Sequence, residues 1–420
     1  MNDANPRTKP LFYGWYIVAA SIILQFASIG IGQVSVSIFM TPVTTAMGWP
    51  VWQYTLGSSL ATGAGAISGI YAGQIIDQKG PRWLIVIGSV ITALCFVGLG
   101  YQSDLWVFTG LYIISGFVGW NLFGPMVVNA TINKWFIKKR GWALAIGSIG
   151  ISLGGLVTPI TMTTVVDSVG WRNGYIVLAI FAIAVIIPLA FVMRRTPEDE
   201  GLLPDGEIAH PDHQASTQAQ TKQPAFTRAE ALRTRSFWLI VAGFGLNQTA
   251  LTSVLVHAIP FATANGFSRN IAALGVTING LGNLSAKPVW GYLLQRIEAR
   301  KLVVAAFSIS AIGVSLMITA AATGIIPLLF LGFYFYGFGF GGTIPLGESV
   351  WAIYFGRAHI GAIRGISQPL TIIGPMTGPI LVGAWFDYTQ TYQLAFLAII
   401  GVYLTGALLI GLSRRPEKLI

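Results

Sequence analysis

Two ionisable side chains stand inside otherwise apolar sequence, and they set the chemistry open to this chain. Lys287 lies in "LSAKPVWGYLLQR" (284–296), and Glu348 lies in "GGTIPLGESVW" (341–351). A full positive charge withdrawn from water can hold a carboxylate by a charge-assisted hydrogen bond, which a neutral donor does far less well. Lysine offers a compact point charge without the bidentate fork of arginine, and a desolvated lysine gives up its proton more readily. Lys287 is therefore a candidate both for binding an organic anion and for carrying a coupled proton. Glu348 and His257, near the end of an apolar stretch, are further proton-coupling candidates. No nucleophile–base pair, metal cluster or phosphate loop is present, and the glycine runs lie within apolar stretches, so an enzyme is not expected.

The elements that must position these groups are membrane helices. Of the 420 residues, 54% are hydrophobic and 10% are charged, against about 25% charged in an average soluble domain. Twelve apolar stretches, from 15–38 to 393–413, are each long enough to cross a hydrocarbon core of about 30 Å. The net charge of +10 raises the question of nucleic-acid binding, but the arrangement of the charges argues against it. All but Arg172, Arg269 and Lys287 of the 25 lysines and arginines fall at the termini or in every second loop. The positive-inside rule then places both termini in the cytoplasm, which needs an even number of crossings. We expect a multi-pass protein of the bacterial inner membrane, working as a monomer in the lipid bilayer. No cleavable signal peptide is expected, because the first apolar run is long enough to span. Cys95 is expected to be a packing residue. His210 and His213 lack the cage of a metal site, so neither a metal nor a cofactor is expected.

The one long polar stretch divides the chain into an N-terminal six-helix bundle (1–195), a cytoplasmic linker (196–235) and a C-terminal six-helix bundle (236–420). Three landmarks recur in order. "GQIIDQKGPRW" (73–83) corresponds to "GYLLQRIEARK" (291–301), "KKRGWALAIG" (138–147) to "GAIRGISQPL" (361–370), and "GWRNGYIVLAI" (170–180) to "TYQLAFLAII" (391–400). Ordered correspondences of this kind mark a duplicated unit. The fold class is accordingly all-α, with twelve transmembrane helices in two pseudo-symmetric bundles.

An ionisable group at mid-helix costs about 2.5–3.5 kcal/mol, so it faces a cavity by default. Snorkelling does not account for Lys287: Arg296 follows nine residues later, about 13 Å along a helix, and a lysine stem reaches about half that. Polar residues on the neighbouring stretches fill out the expected site: Gln33, Asn121, Asn247, Gln248, Asn279, Asn283, Tyr334 and Tyr336. Uncharged donors of this kind orient a substituent beside the carboxylate.

The sequence resembles the major facilitator superfamily over essentially its whole length. Gly73, Asp77, Gly80 and Arg82 in "GQIIDQKGPR" are similar to the family's G-x-x-x-D-R-x-G-R-R loop, with Gln78 and Pro81 departing from it. The resemblance implies a cytoplasmic gate built on these four residues, with Arg296 as its reduced counterpart in the second half, where Gln295 replaces the aspartate. "FYGWYIVAAS" (12–21), "GWRNGY" (170–175) and "RRTPEDEGLLPDG" (194–206) are similar to bacterial relatives of monocarboxylate transporters and oxalate–formate antiporters. "AKPVWG" (286–291) resembles their R-P-x-x-G pattern, with Lys287 in place of the arginine that binds the substrate carboxylate. Asn283 stands where animal-type carriers keep a proton-carrying aspartate, Gln33, Ser35 and Ser37 are what the first helix offers in place of their lysine, and no second lysine follows between Ser367 and Ala384. One cation favours a monoanion. The resemblance thus implies alternating-access transport of small organic monocarboxylates by proton symport. Exchange for a counter-anion, or a non-transporting carboxylate sensor on the same fold, are the alternatives.

Overall fold

The computed structural model describes residues 12–137, 139–206, 226–356 and 360–416, apart from the side chains at 70, 71, 73, 74, 77, 140, 141, 360–362, 365, 368 and 369. Among them there is no strand. Nine stretches of the described residues are long and apolar enough to cross a membrane. One of these, Trp142–Val192, has 51 residues and contains two crossings, because Gly170 at φ 83° breaks the helix. Val51–Lys79 and Arg269–Leu293 have the length to cross and are more polar, as helices facing a cavity between bundles must be. The result is twelve helices in two six-helix bundles.

We number them α1 (Gly14–Met47), α2 (Val51–Lys79), α3 (Arg82–Tyr101), α4 (Leu105–Trp135), α5 (140–169), α6 (171–192), α7 (Arg235–Ala264), α8 (Arg269–Leu293), α9 (Ala299–Thr323), α10 (Ile326–Phe355), α11 (Ile360–Thr389) and α12 (Gln393–Leu412). The beginnings of α1 and α7 and the ends of α6 and α12 share one face, here termed the terminal face. Tyr13 there donates to the Val192 carbonyl at 2.9 Å, and Ser236 to the Arg414 carbonyl at 2.5 Å.

Several helices are not continuous, for identifiable reasons. α1 widens into a π-helical turn at Gly30–Val34. α4 ends its first α segment at Ile114, passes through π and 3₁₀ turns, and restarts with Pro125 as its first residue. Proline has no amide hydrogen to waste at a helix start, so it fixes the restart point. The freed backbone is re-satisfied locally, as a membrane interior requires: Asn121 donates to the Gly116 carbonyl at 2.6 Å, and Ser28 to the Trp120 carbonyl at 3.1 Å. α5 is interrupted at Ser148.

The bundles meet where α5 packs on α8 and α2 packs on α11. A Cβ on Gly280 would lie 2.5 Å from the Leu156 amide nitrogen, so α5 and α8 touch backbone to backbone. At the face away from the termini, the Asp387 carboxylate at the end of α11 accepts from the Val51 and Trp52 amides that open α2, both at 2.9 Å. Arg269 pairs with Asp167 there and donates to the Ile38 carbonyl at 2.7 Å.

Candidate functional site

Lys287 lies on α8 one turn beyond Asn283, so both project toward the same neighbour. That neighbour is α5, where Ser148 and Ser152 are also one turn apart. The Lys287 ammonium donates to the Ser148 carbonyl at 2.9 Å and lies 3.5 Å from its hydroxyl. Ser152 donates to Asn283 Oδ1 at 2.8 Å. The two contacts form consecutive rungs between the bundles, with the Gly155–Gly280 approach as the next step along the same crossing. The interruption of α5 makes the first rung possible: the Ser148 carbonyl accepts the Ile151 amide in a tightened turn and keeps capacity for a second donor. The preceding carbonyl, of Gly147, accepts from Gln25 Nε2 on α1 at 3.0 Å. Gln25 is fully buried, and its Oε1 has no hydrogen-bond partner among the described residues.

The acceptors of Lys287 are neutral oxygens; none of the ion pairs among the described residues includes it. The ammonium is thus anchored, half-buried and without a counter-charge there. Asn279, two turns before Lys287, is buried against Gly337 of α10, with its Oδ1 unpartnered among the described residues. Tyr334 shares a hydrogen bond with Ser285 of α8 at 3.0 Å. Lys287, Asn283, Asn279 and Tyr334 are therefore grouped around α8.

The remaining expected residues are dispersed. Gln33 is exposed on the π turn of α1. Asn121 repairs the break of α4. Asn247 is buried on α7, 3.5 Å from Gln248, and its Oδ1 is unpartnered among the described residues. Tyr336 is fully buried and donates to the Leu251 carbonyl at 2.7 Å, which ties α10 to α7. His257 is fully buried, its Nε2 2.9 Å from the Pro379 carbonyl and its Nδ1 3.3 Å from the Tyr392 hydroxyl, so both ring nitrogens are occupied by α11 and the start of α12. Glu348 is bound by Arg364 at 2.6 Å, and its side chain is half-exposed. Arg364, counted with the loop charges in the sequence, lies inside α11 and supplies this partner.

Of the expected gate, Gly73 lies within α2, and the Asp77 side chain lies outside the described residues. Gly80 ends α2 at φ 79°, a conformation that disfavours any side chain. Arg82 stacks on Phe191 and donates to its carbonyl at 3.4 Å, so it ties the loop to α6 of its own bundle. Arg296, in the turn that follows α8, stacks on Tyr292 at the end of that helix. The sequence reading missed Ser148, Ser152 and Gln25. A glutamine in the apolar first helix was a visible signal for one of them; a serine's carbonyl as a ligand leaves no mark in sequence.

Twelve helices with a broken α4 and an ammonium at the bundle crossing are the frame against which relatives can be compared. The family model of the Major Facilitator Superfamily matches residues 18–262 and 248–419. The chain belongs to this superfamily. It is a membrane transporter and not an enzyme. Among superfamily members, it is 26% identical over 349 residues to the oxalate:formate antiporter of Oxalobacter formigenes, covering 82% of this chain and 78% of that one. It is 24% identical over 423 residues to human monocarboxylate transporter 11, covering 96% and 83%. The crystal structure of a bacterial homologue of the human lysosomal transporter Spinster, inward-facing and unoccupied, superposes with a TM-score of 0.70 over 97% of both chains at 14% identity. At that identity the likeness is one of fold.

Proposed function

We propose that this superfamily member carries small organic monocarboxylates across the bacterial inner membrane, with both termini and the 196–235 linker in the cytoplasm and with units 1–195 and 236–420 rocking about the site. The observation that carries the reading is the Lys287 ammonium, held at the α5–α8 crossing by neutral oxygens alone among the described residues. A carboxylate arriving there meets a fixed full charge, and an uncompensated ammonium in the membrane is costly enough to make that pairing favourable. The names of the two relatives, one for oxalate and formate and one for monocarboxylates, support the substrate class. Asn279 and Asn283 beside the ammonium are suited to orienting a hydroxyl or carbonyl substituent.

The clamps at Asp387 and Arg269 hold the two bundles together at the face away from the termini in the conformation described here. For coupling, proton symport leaves no net charge to move when a monoanion crosses. Lys287 is the first candidate for that proton, because Glu348 is engaged by Arg364 and both nitrogens of His257 are occupied. The antiporter among the relatives favours a second reading, exchange for another anion. Counterflow in proteoliposomes tests both. Labelled formate, acetate, lactate or oxalate is expected to enter against an internal unlabelled pool. Net uptake driven by an inward proton gradient without internal anion supports symport, and its absence alongside exchange supports antiport. No flux of any carboxylate in either format would refute the transport assignment.

A further inference from the structure

A second charged site lies away from the bundle crossing, on the terminal face of the second bundle. A cavity of about 750 Å³ opens between the start of α7, the start of α9 and the end of α12. Four arginines are among the residues that line it: Arg235, Arg300, Arg414 and Arg415. Its volume falls in the range of small-ligand sites, about 300–1,000 Å³. The apolar part of its wall comes from Leu239 and Leu412.

The arginines project from a fixed frame. The Ser413 carbonyl accepts from Arg300 at 2.9 Å and from the Tyr354 hydroxyl at 3.0 Å, and the next carbonyl accepts from Ser236 at 2.5 Å. Three different helices therefore hold the backbone that presents Arg414 and Arg415. Among the described residues the charge is largely uncompensated. Glu298 pairs with Arg300 at 3.1 Å, whereas Arg235, Arg414 and Arg415 have no ion-pair partner among the described residues. Glu417 lies outside the described residues. The depth is that of the membrane boundary, since α7 and α9 begin and α12 ends there. One turn into α7, the half-exposed Trp238 donates to the Leu232 carbonyl at 3.0 Å, as an aromatic ring at the water interface does.

We propose that this cavity binds the phosphate group of an anionic phospholipid, the guanidinium groups gripping its oxygens while Leu239 and Leu412 meet the start of the acyl region. Arginine forks match phosphate oxygens bidentately, and basic pockets between helices at the membrane surface suit such headgroups. The apolar wall and the position at the bilayer edge favour a lipid over a soluble phosphate. The site is independent of Lys287 and of the transported anion.

Thermal unfolding of the full chain in detergent provides the test, with dioleoylphosphatidylglycerol, dioleoylphosphatidylcholine or inorganic phosphate added. Phosphatidylglycerol is expected to raise the midpoint, and phosphatidylcholine is not. Arg414→Gln with Arg415→Gln should weaken the phosphatidylglycerol response about thirtyfold, at roughly fivefold per arginine. Arg233→Gln, exposed and outside the cavity, should leave it unchanged. Equal stabilisation by both lipids, or an equal loss in Arg233→Gln, would overturn the site. Stabilisation by inorganic phosphate with none from lipid would overturn the lipid assignment in favour of a soluble ligand. If the double variant is not produced, native mass spectrometry of Arg415→Gln reads the same proposal. Retained phosphatidylglycerol adducts at wild-type abundance would refute it.

Discussion

Replacing Lys287 with methionine separates the two roles its geometry allows. As an anion site, the ammonium contributes through a pair formed only when substrate is present. Removing one partner of a fully buried pair costs about 3–5 kcal/mol, and the half-buried setting of Lys287 roughly halves this, to about 2 kcal/mol. Carboxylate affinity should therefore fall about thirtyfold. The empty protein responds differently. It loses the hydrogen bond to the Ser148 carbonyl, about 1.5–3 kcal/mol for a charged donor, and it is relieved of an ammonium that costs about 2.5–3.5 kcal/mol in the membrane. The two nearly cancel, so Lys287→Met should melt within a few degrees of wild type while its stabilisation by carboxylate needs about thirtyfold more ligand. Titration of the melting midpoint with acetate, lactate and benzoate measures both quantities in one experiment. Lys287→Arg, which restores the residue type of the resembling carriers, should recover binding. An unstable variant that still gains the full stabilisation from carboxylate would mean that Lys287 is a strut between α5 and α8, and would refute the reasoning.

Other perturbations follow from the same geometry. Asp387→Ala removes a carboxylate that accepts two amides at the start of α2 and should shift the equilibrium by about 2 kcal/mol toward opening at that face; spin-label distances between α2 and α11 are expected to lengthen, and an unchanged distribution would show that the clamp is dispensable. Gly280→Leu forces a side chain into the backbone of α5 and should abolish transport, whereas retained flux would show that the close crossing is not needed. His257→Ala leaves the Tyr392 hydroxyl and the Pro379 carbonyl without their partner and should cost about 1–3 kcal/mol in stability while the pH profile of transport keeps its shape; a flattened profile would make His257 the proton carrier. Ser152→Ala strands Asn283 Oδ1 and should lower the melting midpoint by a few degrees, with carboxylate affinity changed less than fivefold as measured by the same titration.

The helices and their number were legible because the length and apolarity of each crossing are local properties. The fold class read from the apolar stretches agrees with the structure, although two helices, α2 and α8, are polar enough to fall below a simple apolarity threshold. The importance of "AKPVWG" was also visible, since a lysine far from any loop needs an explanation whatever the fold. What surrounds it was not. Ser148 acts through a carbonyl freed by a break in α5, and Ser152 through a hydroxyl matched to Asn283 at 131 residues' separation. Glu348 looked alone until the beginning of α11 brought Arg364 against it.

By itself, then, the sequence determined the membrane, the twelve crossings, the even spacing of the positive loops and the presence of one unshielded ammonium. Only the tertiary structure decided that Lys287 rests on α5, that Tyr336 and His257 are spent on helix packing, and that arginines from three separate stretches of sequence line one cavity. The physical reason is that insertion depends on the chain's own side chains window by window, whereas a site is set by which helices cross and by which backbone groups their breaks leave free.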